Sequence, residues 1–337
     1  MAPTVSVLVV SYQTRDLILR ALATLRSSKT REPYEVIVVD NASGDGSADA
    51  VAGEFPEVRV VRLARNVGFG RAVNVAAARA RGQWLLLLNP DTEPVGDLIG
   101  GFVRFAQANP THRIYHGRTL HADHTDDGRS VFGLPSLWGY FCFATGLSSA
   151  FRRSSLFNPE ELTGLDRATP SRVPAGSGCL LLVERALFTD LAGFNPQYFM
   201  YSEDIDLCVR AVRCGAEPVL VPQARVVHRN GAASSSVGKR IMLMRGKVTF
   251  LGVHWSAPRA RFGRGLLAAG IAARAAGARL TGRAGYWREV WTQRRTWLAG
   301  WPPESELPPV EIIETLASVP ASPVPVPVSP ASDRRTR

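Results

Sequence analysis

VSVLVVSYQTRDLILRAL, residues 5–22, decides the fold. Its first seven residues are almost wholly apolar, and Leu17, Ile18, Ala21, Leu22 and Leu25 then recur at helical spacing. A strand with one wet face alternates apolar and polar side chains, so a continuous apolar run predicts burial on both faces. The unit repeats. EVIVVD (35–40) precedes the turn-rich NASGDGS and a short helix near 47–54, and VRVVRL (58–63) precedes GFGRAVNVAAARARG (68–82), an Ala-rich helix ended by Gly82. WLLLLN (84–89) is the fourth strand, and Leu98, Ile99, Phe102, Val103 and Ala106 mark the helix beyond it. Strand and helix in alternation predict an α/β fold: a Rossmann-like, mostly parallel sheet with helices on both faces.

Further on, the alternation fades. Residues 110–175 carry His112, His116, His121, His124 and LPSLWGYFCFATG (134–146), and read as irregular. CLLLVE (179–184), EPVLVP (217–222) and ARVVH (224–228) read as strands, with a helix from about 205 to 214. Residues 239–300 read as basic helices. The Pro-, Val-, Ser- and Ala-rich stretch from 302 to 337 reads as disordered, since it lacks the periodicity to pack a core. The expected organisation is thus a main α/β domain at 1–238, with one half at 1–109 and a second at 110–238. A helical segment at 239–301 and a tail at 302–337 follow.

A chain of 337 residues with 45% hydrophobic content can bury a full core. The net charge of +11 is local: residues 239–295 hold thirteen Lys or Arg against one acid, Glu289. Cys142, Cys179, Cys208 and Cys214 show no CxxC spacing and sit among apolar residues, which suits reduced thiols in a cytosolic setting. The first residues lack the pattern of a secretory signal, and no apolar run reaches the roughly 18 residues of a membrane span.

Parallel sheets bind ligands in the crevice at the carboxyl ends of their strands. Ser11, Tyr12, Asp40, Asn41, Asn89, Pro90 and Asp91 stand there. Asp40 suits either acceptance of a hydrogen bond from the N3–H of a uracil or thymine ring, or the capping of the turn that follows. Asp91, fixed by Pro90, suits a hard divalent cation with positions left open for phosphate oxygens, or a helix N-cap shared with Thr92. VGFGRAVN (67–74) is no dinucleotide fingerprint, because Val73 holds the third glycine position and the segment follows the third strand. In FMYSEDIDLCVR (199–210), Asp206 is explained by an ion pair with Arg210, four residues on. Glu203 and Asp204 lie ahead of the expected helix, two acids where one would suffice as a cap. His228 closes a strand and is either an ordinary histidine or a metal ligand.

In order, SVLVVSYQTRDL, VVDNASGDGS, RNVGFGRAVN, LLLNPDTEP, GSGCLLLVERALF and GFNPQYFMYSEDIDLCVR resemble the inverting family 2 glycosyltransferases of the GT-A fold, in particular their rhamnosyltransferase-like branch. The resemblance runs from Val5 to about His228. It implies a donor nucleoside-diphosphate sugar, dTDP- or UDP-linked, and a glycan or polyprenyl-diphosphate-linked acceptor. Ser11, Tyr12, Asp40, Asn66, Arg71 and Asn89 would contact the nucleotide-sugar. Asp91 and His228 would hold Mg²⁺ or Mn²⁺, Asp204 would be the catalytic base, and Glu203 would tune or orient beside it. The metal motif here is Asn89-Pro90-Asp91, so one carboxylate of the Asp-x-Asp found in many relatives is missing. A catalytically silent binding or scaffold protein of the same fold is the alternative, which the presence of Asp91, Glu203 and Asp204 disfavours.

The arginines of GLLAAGIAARAAGARLTG (265–282), with Trp287, Trp291 and Trp297, suit either an anionic membrane surface or helices packed on the catalytic domain. The first reading implies a peripheral protein on the inner face of the plasma membrane. Nucleic acid is not the expected partner.

Overall fold

A computed structural model describes residues 2–229, 236–280 and 285–316. Its strands are β1 (Val5–Ser11), β2 (Tyr34–Asp40), β3 (Arg59–Leu63), β4 (Trp84–Leu88), β5 (Thr92–Val95), β6 (Ile114–Leu120), β7 (Val131–Phe132), β8 (Ser171–Arg172), β9 (Ala175–Gly176), β10 (Leu180–Glu184), β11 (Val219–His228) and β12 (Ile312–Leu316). The helices are α1 (Arg15–Ser27), α2 (Ser47–Glu54), α3 (Phe69–Ala77), α4 (Leu98–Ala108), α5 (Leu137–Thr145), α6 (Leu147–Ala150), α7 (Arg185–Asp190), α8 (Glu203–Arg213), α9 (Val237–His254), α10 (Ala257–Leu280), α11 (Gly285–Thr292) and α12 (Arg294–Leu298).

The main sheet runs β12-β3-β2-β1-β4-β10-β6-β11-β5. β1 to β4 pair in parallel, as their unbroken apolar runs predict. The sheet as a whole is mixed: β10 is antiparallel to both β4 and β6, while β6 and β11 are parallel. β4, β6 and β11 therefore all end at one edge, where β10 begins. Each strand feeds two cores. Val5, Val7 and Val9 pack with α1, α2 and α4 on one face, and Leu8 and Val10 with α3, α7 and α8 on the other.

Three segments depart from the sequence reading. Residues 110–175 hold a central strand, β6, whose apolar run IYHGRTL is broken by His116, Gly117 and Arg118. A Cβ at Gly117 would strike the Leu180 side chain, and one at Gly176 would strike the His116 ring, so both glycines serve close packing. EPVLVP and ARVVH form one strand, β11, with a register shift between Val221 and Arg225. The tail supplies β12, which pairs antiparallel with β3; its residues 317–337 lie outside the described residues.

The basic helices share a core with the rest. Tyr140 of α5 packs among Ile241, Met244, Val248, Leu267, Ile271 and Trp297. Trp297 is fully buried, and Trp287 and Trp291 are partly buried against the same cluster, so these helices pack on the rest of the protein. Among the described residues, no helix is long and apolar enough to cross a membrane.

α9 also anchors α8. The fully buried Asp206 carboxylate accepts 2.7 Å from Arg210 Nε, as the spacing predicts, and pairs at 2.8 Å with His254 Nε2 of α9. Arg210 is fixed in turn by the carbonyls of Leu191 and Gly193. Just before α8, Tyr201 and Ser202 both adopt left-handed backbone, at φ 68° and 71°. Neighbours hold that strained turn: a Cβ at Gly68 would strike the Phe199 carbonyl, and one at Gly246 of α9 would strike the Tyr201 carbonyl. Trp301 closes the remaining side, with its indole N–H donating to Met200 O at 3.2 Å.

Two stability predictions follow from these buried groups. Asp206→Ala leaves the partly buried Arg210 charge and the buried His254 ring without their carboxylate and is expected to cost about 3–5 kcal/mol in urea unfolding. His116 is fully buried with Nε2 3.6 Å from Cys208 Sγ, and burial pulls its pKa down to about 4, only partly opposed by the Ser177 backbone. On acidification the unfolded chain takes up this proton first, so stability is full above about pH 6.5 and falls as the pH drops toward 4, by about 3 kcal/mol from this residue. In His116→Gln, unfolding free energy measured against pH should lose that part of the slope.

Candidate active site

The metal-binding candidates meet because β5 doubles back against β11. After β4, Asn89-Pro90-Asp91 makes a turn closed by Thr92 N and Oγ1 on the Asn89 carbonyl. Thr92 begins β5, opposite His228, and α4 takes its cap from Asp97, so the helix-cap reading of Asp91 and Thr92 gives way. Arg229 N donates to Asp91 O at 2.9 Å, and His228 Nε2 lies 3.1 Å from Asp91 Oδ2.

On its other side, His228 Nδ1 lies 3.6 Å from Oδ2 of Asp127, whose side chain is fully buried. Thr119 Oγ1 and Arg129 N donate to Asp127 Oδ1 at 2.6 and 2.8 Å. Burial opposes the Asp127 charge, but the adjacent His228 ring and the bonds from Thr119 and Arg129 hold its carboxyl below the usual range. Burial likewise opposes a charged His228, and the carboxylates of Asp127 and Asp91 override it, holding the imidazole up at about 9. Carboxylate, imidazole and carboxylate thus form one chain. Asp91 Oδ1, Asp127 Oδ2 and His228 Nδ1 are buried without a hydrogen-bond partner among the described residues.

This donor set suits a divalent cation in one respect and falls short in another. Asp91 offers an oxygen, and Nε2 of His228 would offer a lone pair once a cation displaces the proton it shares with Asp91, with Asp127 behind the ring as the carboxylate partners of metal-binding histidines stand. Among the described residues, however, no three His, Cys, Asp or Glu side chains are grouped as a ready metal site. Two protein ligands fit a cation that keeps open positions for phosphate oxygens, as Mg²⁺ and Mn²⁺ do.

Asp204 enters from α8. It and Glu203 are the first two residues of the helix rather than preceding it. Asp204 Oδ2 accepts from Gly178 N at 3.2 Å and Oδ1 from Ile205 N at 2.8 Å. Burial pushes its carboxyl up, against those hydrogen bonds. Glu203 is pushed well above the ordinary glutamate range by burial, then by the neighbouring Asp204 charge, and its Oε2 has no hydrogen-bond partner among the described residues. Of the pair, buried Glu203 is pushed up further and is therefore the first to take a proton, which leaves Asp204 the better base. Cys179, which accepts from Asn89 N at 3.0 Å, lies among all of them. Its thiol is pushed up by burial and then by the charges of Asp91, Asp127 and Asp204. Three carboxylates therefore surround one residue at the start of β10.

The expected nucleotide end lies across the sheet. Asp40 is buried at the end of β2: Oδ2 accepts from Ser43 N at 3.1 Å, while Oδ1 is buried with no partner among the described residues. It is thus the turn cap and still has a carboxylate oxygen to offer. Burial pushes its carboxyl up, partly offset by Ser43. Asn41 and Asn66 hold the 66–68 loop through a 2.9 Å bond between them and bonds to Val67 N and Gly68 N. Ser11 is buried, with Oγ 3.0 Å from Thr14 Oγ1, and Tyr12 is half exposed at the crevice mouth. Arg71 stands apart: its guanidinium donates to the Pro308 carbonyl of the tail at 2.6 Å.

Sequence reasoning missed Asp127, Gly178 and Cys179. The available signal was the Asp126-Asp127-Gly128 turn, which marks the end of a strand once IYHGRTL is read as one.

Residues 6–168 match the model of glycosyl transferase family 2. An N-acetylglucosaminyl-diphospho-decaprenol L-rhamnosyltransferase of Mycobacterium tuberculosis is 29% identical over 248 residues, 68% of this chain and 76% of that protein. The Escherichia coli rhamnosyltransferase WbbL is 24% identical over 242 residues, 66% of this chain and 83% of that protein. Among solved structures, a Pyrobaculum calidifontis mannosyltransferase in complex with GDP-Man and Mn²⁺ superimposes with a TM-score of 0.54 at 20% identity, covering 89% of this chain and 86% of that one. Residues 6–168 thus carry a glycosyl transferase family 2 domain, and the sheet has the GT-A fold.

Proposed function

We propose that the protein transfers a sugar, rhamnose or another hexose, from a nucleoside-diphosphate sugar to a hydroxyl of a polyprenyl-diphosphate-linked glycan, with inversion, in cell-wall or polysaccharide synthesis. The observation that carries this is the convergence of Asp91, His228, Asp127 and Asp204 on one edge of the sheet, with Asp40 at the end of β2, two strands from the β4 strand that leads into Asp91. The relatives' printed activities supply the substrate class.

Inverting transfer needs a base on the acceptor side while the diphosphate leaves from the opposite face. Asp204 takes that role, since it is the charged and more accessible member of its pair. Glu203, protonated, keeps a second negative charge away from it. Asp40 would accept from the ring N3–H through its unpaired oxygen, with Ser11, Tyr12, Asn66 and Asn89 lining the path to the diphosphate. Asp91 and His228 would hold Mg²⁺ or Mn²⁺, which when bound supplies positive charge to the departing diphosphate. With a lipid-linked acceptor, the protein would work peripherally at the inner face of the plasma membrane.

Two measurements test this reading. A donor panel including dTDP-rhamnose and common UDP-sugars, with Mn²⁺ or Mg²⁺ and a prenyl-diphosphate glycan acceptor, should release nucleoside diphosphate, and chelation should abolish the release; no turnover with any donor would refute it. Asp204→Asn should lower kcat by about 100- to 10,000-fold with nucleotide affinity unchanged, and near-wild-type turnover would remove Asp204 from the base role.

A further inference from the structure

Beside Asp127 the surface opens into a cavity of about 660 Å³ whose wall includes Arg129, Arg152, Arg153 and Arg167, with Asp127 and Glu161 as its acids. Four guanidinium groups against two carboxylates make the opening cationic. Arg167 is held in place by the carbonyls of Gly128 and Glu161 at 3.4 and 3.3 Å, with its Nε 3.7 Å from Asp126. Arg152 and Arg153 are exposed and make no ion pair among the described residues. Planar guanidinium groups with unused donors are suited to phosphate oxygens.

The position is specific. Asp127 touches His228, which touches Asp91, so the cavity adjoins the corner where the leaving diphosphate is expected. Asp40 ends β2 and Asp127 follows β6, and the sheet order sets β1, β4 and β10 between those two strands. The nucleotide occupies the Asp40 side, which leaves the arginine side for the second substrate.

An apolar shelf adjoins the arginines. Phe151, Leu156, Trp138 and Phe141 are 51%, 61%, 43% and 41% exposed. Their rings are arranged together: Trp138 lies 5.6 Å from Phe141, and Phe157 lies 6.3 Å from Trp138 and 4.9 Å from Phe151. Trp138 Nε1 donates to Leu156 O at 2.7 Å, which fixes the shelf. Phe151 immediately precedes Arg152 and Arg153 in the chain. Exposed apolar area of this kind on a soluble surface marks a binding face.

We infer that this cavity and shelf bind the prenyl diphosphate of the acceptor, the arginines taking the diphosphate and the aromatic residues the first isoprene units. The inference rests on the lipid-linked acceptor proposed above. It makes Arg152 and Arg153 specificity-determining residues for the acceptor, with no part in donor binding.

The test uses farnesyl diphosphate as the probe for the prenyl diphosphate, inorganic pyrophosphate for the head alone, and UDP and dTDP for the donor side, each titrated by calorimetry with the full chain. Because Arg152 and Arg153 are exposed, Arg152→Glu/Arg153→Glu should fold, as its circular dichroism will show. It should weaken farnesyl diphosphate at least tenfold and leave nucleotide affinity unchanged. Phe151→Ser/Leu156→Ser should weaken farnesyl diphosphate about tenfold and leave pyrophosphate unchanged. If the charge reversal weakens the nucleotides equally, the cavity serves the donor and the inference fails. It also fails if farnesyl diphosphate binds wild type and variant alike, or does not bind wild type. Farnesyl diphosphate binding that responds to these variants, in a protein with no transferase turnover, would keep the site and discard the enzymatic reading.

Discussion

The position of β10 constrains everything else. Inserted antiparallel between β4 and β6, it starts where its neighbours end, so the backbone of Gly178 and Cys179 lies among side chains leaving three different strands and one helix. A parallel strand in that place would end at the same edge and leave the N–H that Asp204 uses elsewhere. Antiparallel pairing also explains the small residues before β10. Gly176 gives room to the His116 ring, and Gly178 packs against Phe69 with Asp204 beside it.

That geometry makes the acid cluster affordable in electrostatic terms. Several carboxylates in one partly buried space repel one another, and an unpaired buried charge is costly. The structure divides them by treatment. Asp206 is ion-paired with Arg210 and bonded to His254, Asp127 is held by donors from Thr119 and Arg129 with His228 beside it, and burial pushes Glu203 toward its neutral form. Asp91 keeps one oxygen, Oδ1, without a partner among the described residues, and Asp204 is pushed up less than Glu203. FMYSEDIDLCVR therefore holds a strongly raised acid, a less raised acid and an ion-paired acid within four residues.

The first hundred residues were legible because both levels of the code agree there: apolar strands and amphipathic helices with turn residues between them. Asp40, Asp91 and His228 could be picked out because strand ends are easy to locate in such a pattern. β6 was not legible, since its packing demands a glycine and accommodates a buried histidine, and both break an apolar run. With β6 went Asp127, whose importance is three-dimensional: it lies 101 residues before His228 in the chain and touches it in space. The tail misled for the opposite reason. Ile312 and Ile313 have strand character but stand among prolines, and only the open side of β3 gives them a partner. Tryptophan beside arginine was ambiguous in the same way, because a helix packing on a neighbour and one lying on lipid can share a composition.

β12 also has a bearing on how copies of this protein behave in concentrated solution. Without it, β3 would present a free row of N–H and C=O groups flanked by Val60 and Val61, a template on which another chain could add a strand. The chain's own C-terminal segment occupies that row, tethered by Arg65 to Pro309 and by Arg71 to Pro308. Shortening the protein ahead of residue 312 would thus do more than remove a tail: it would turn a closed sheet margin into an adhesive one.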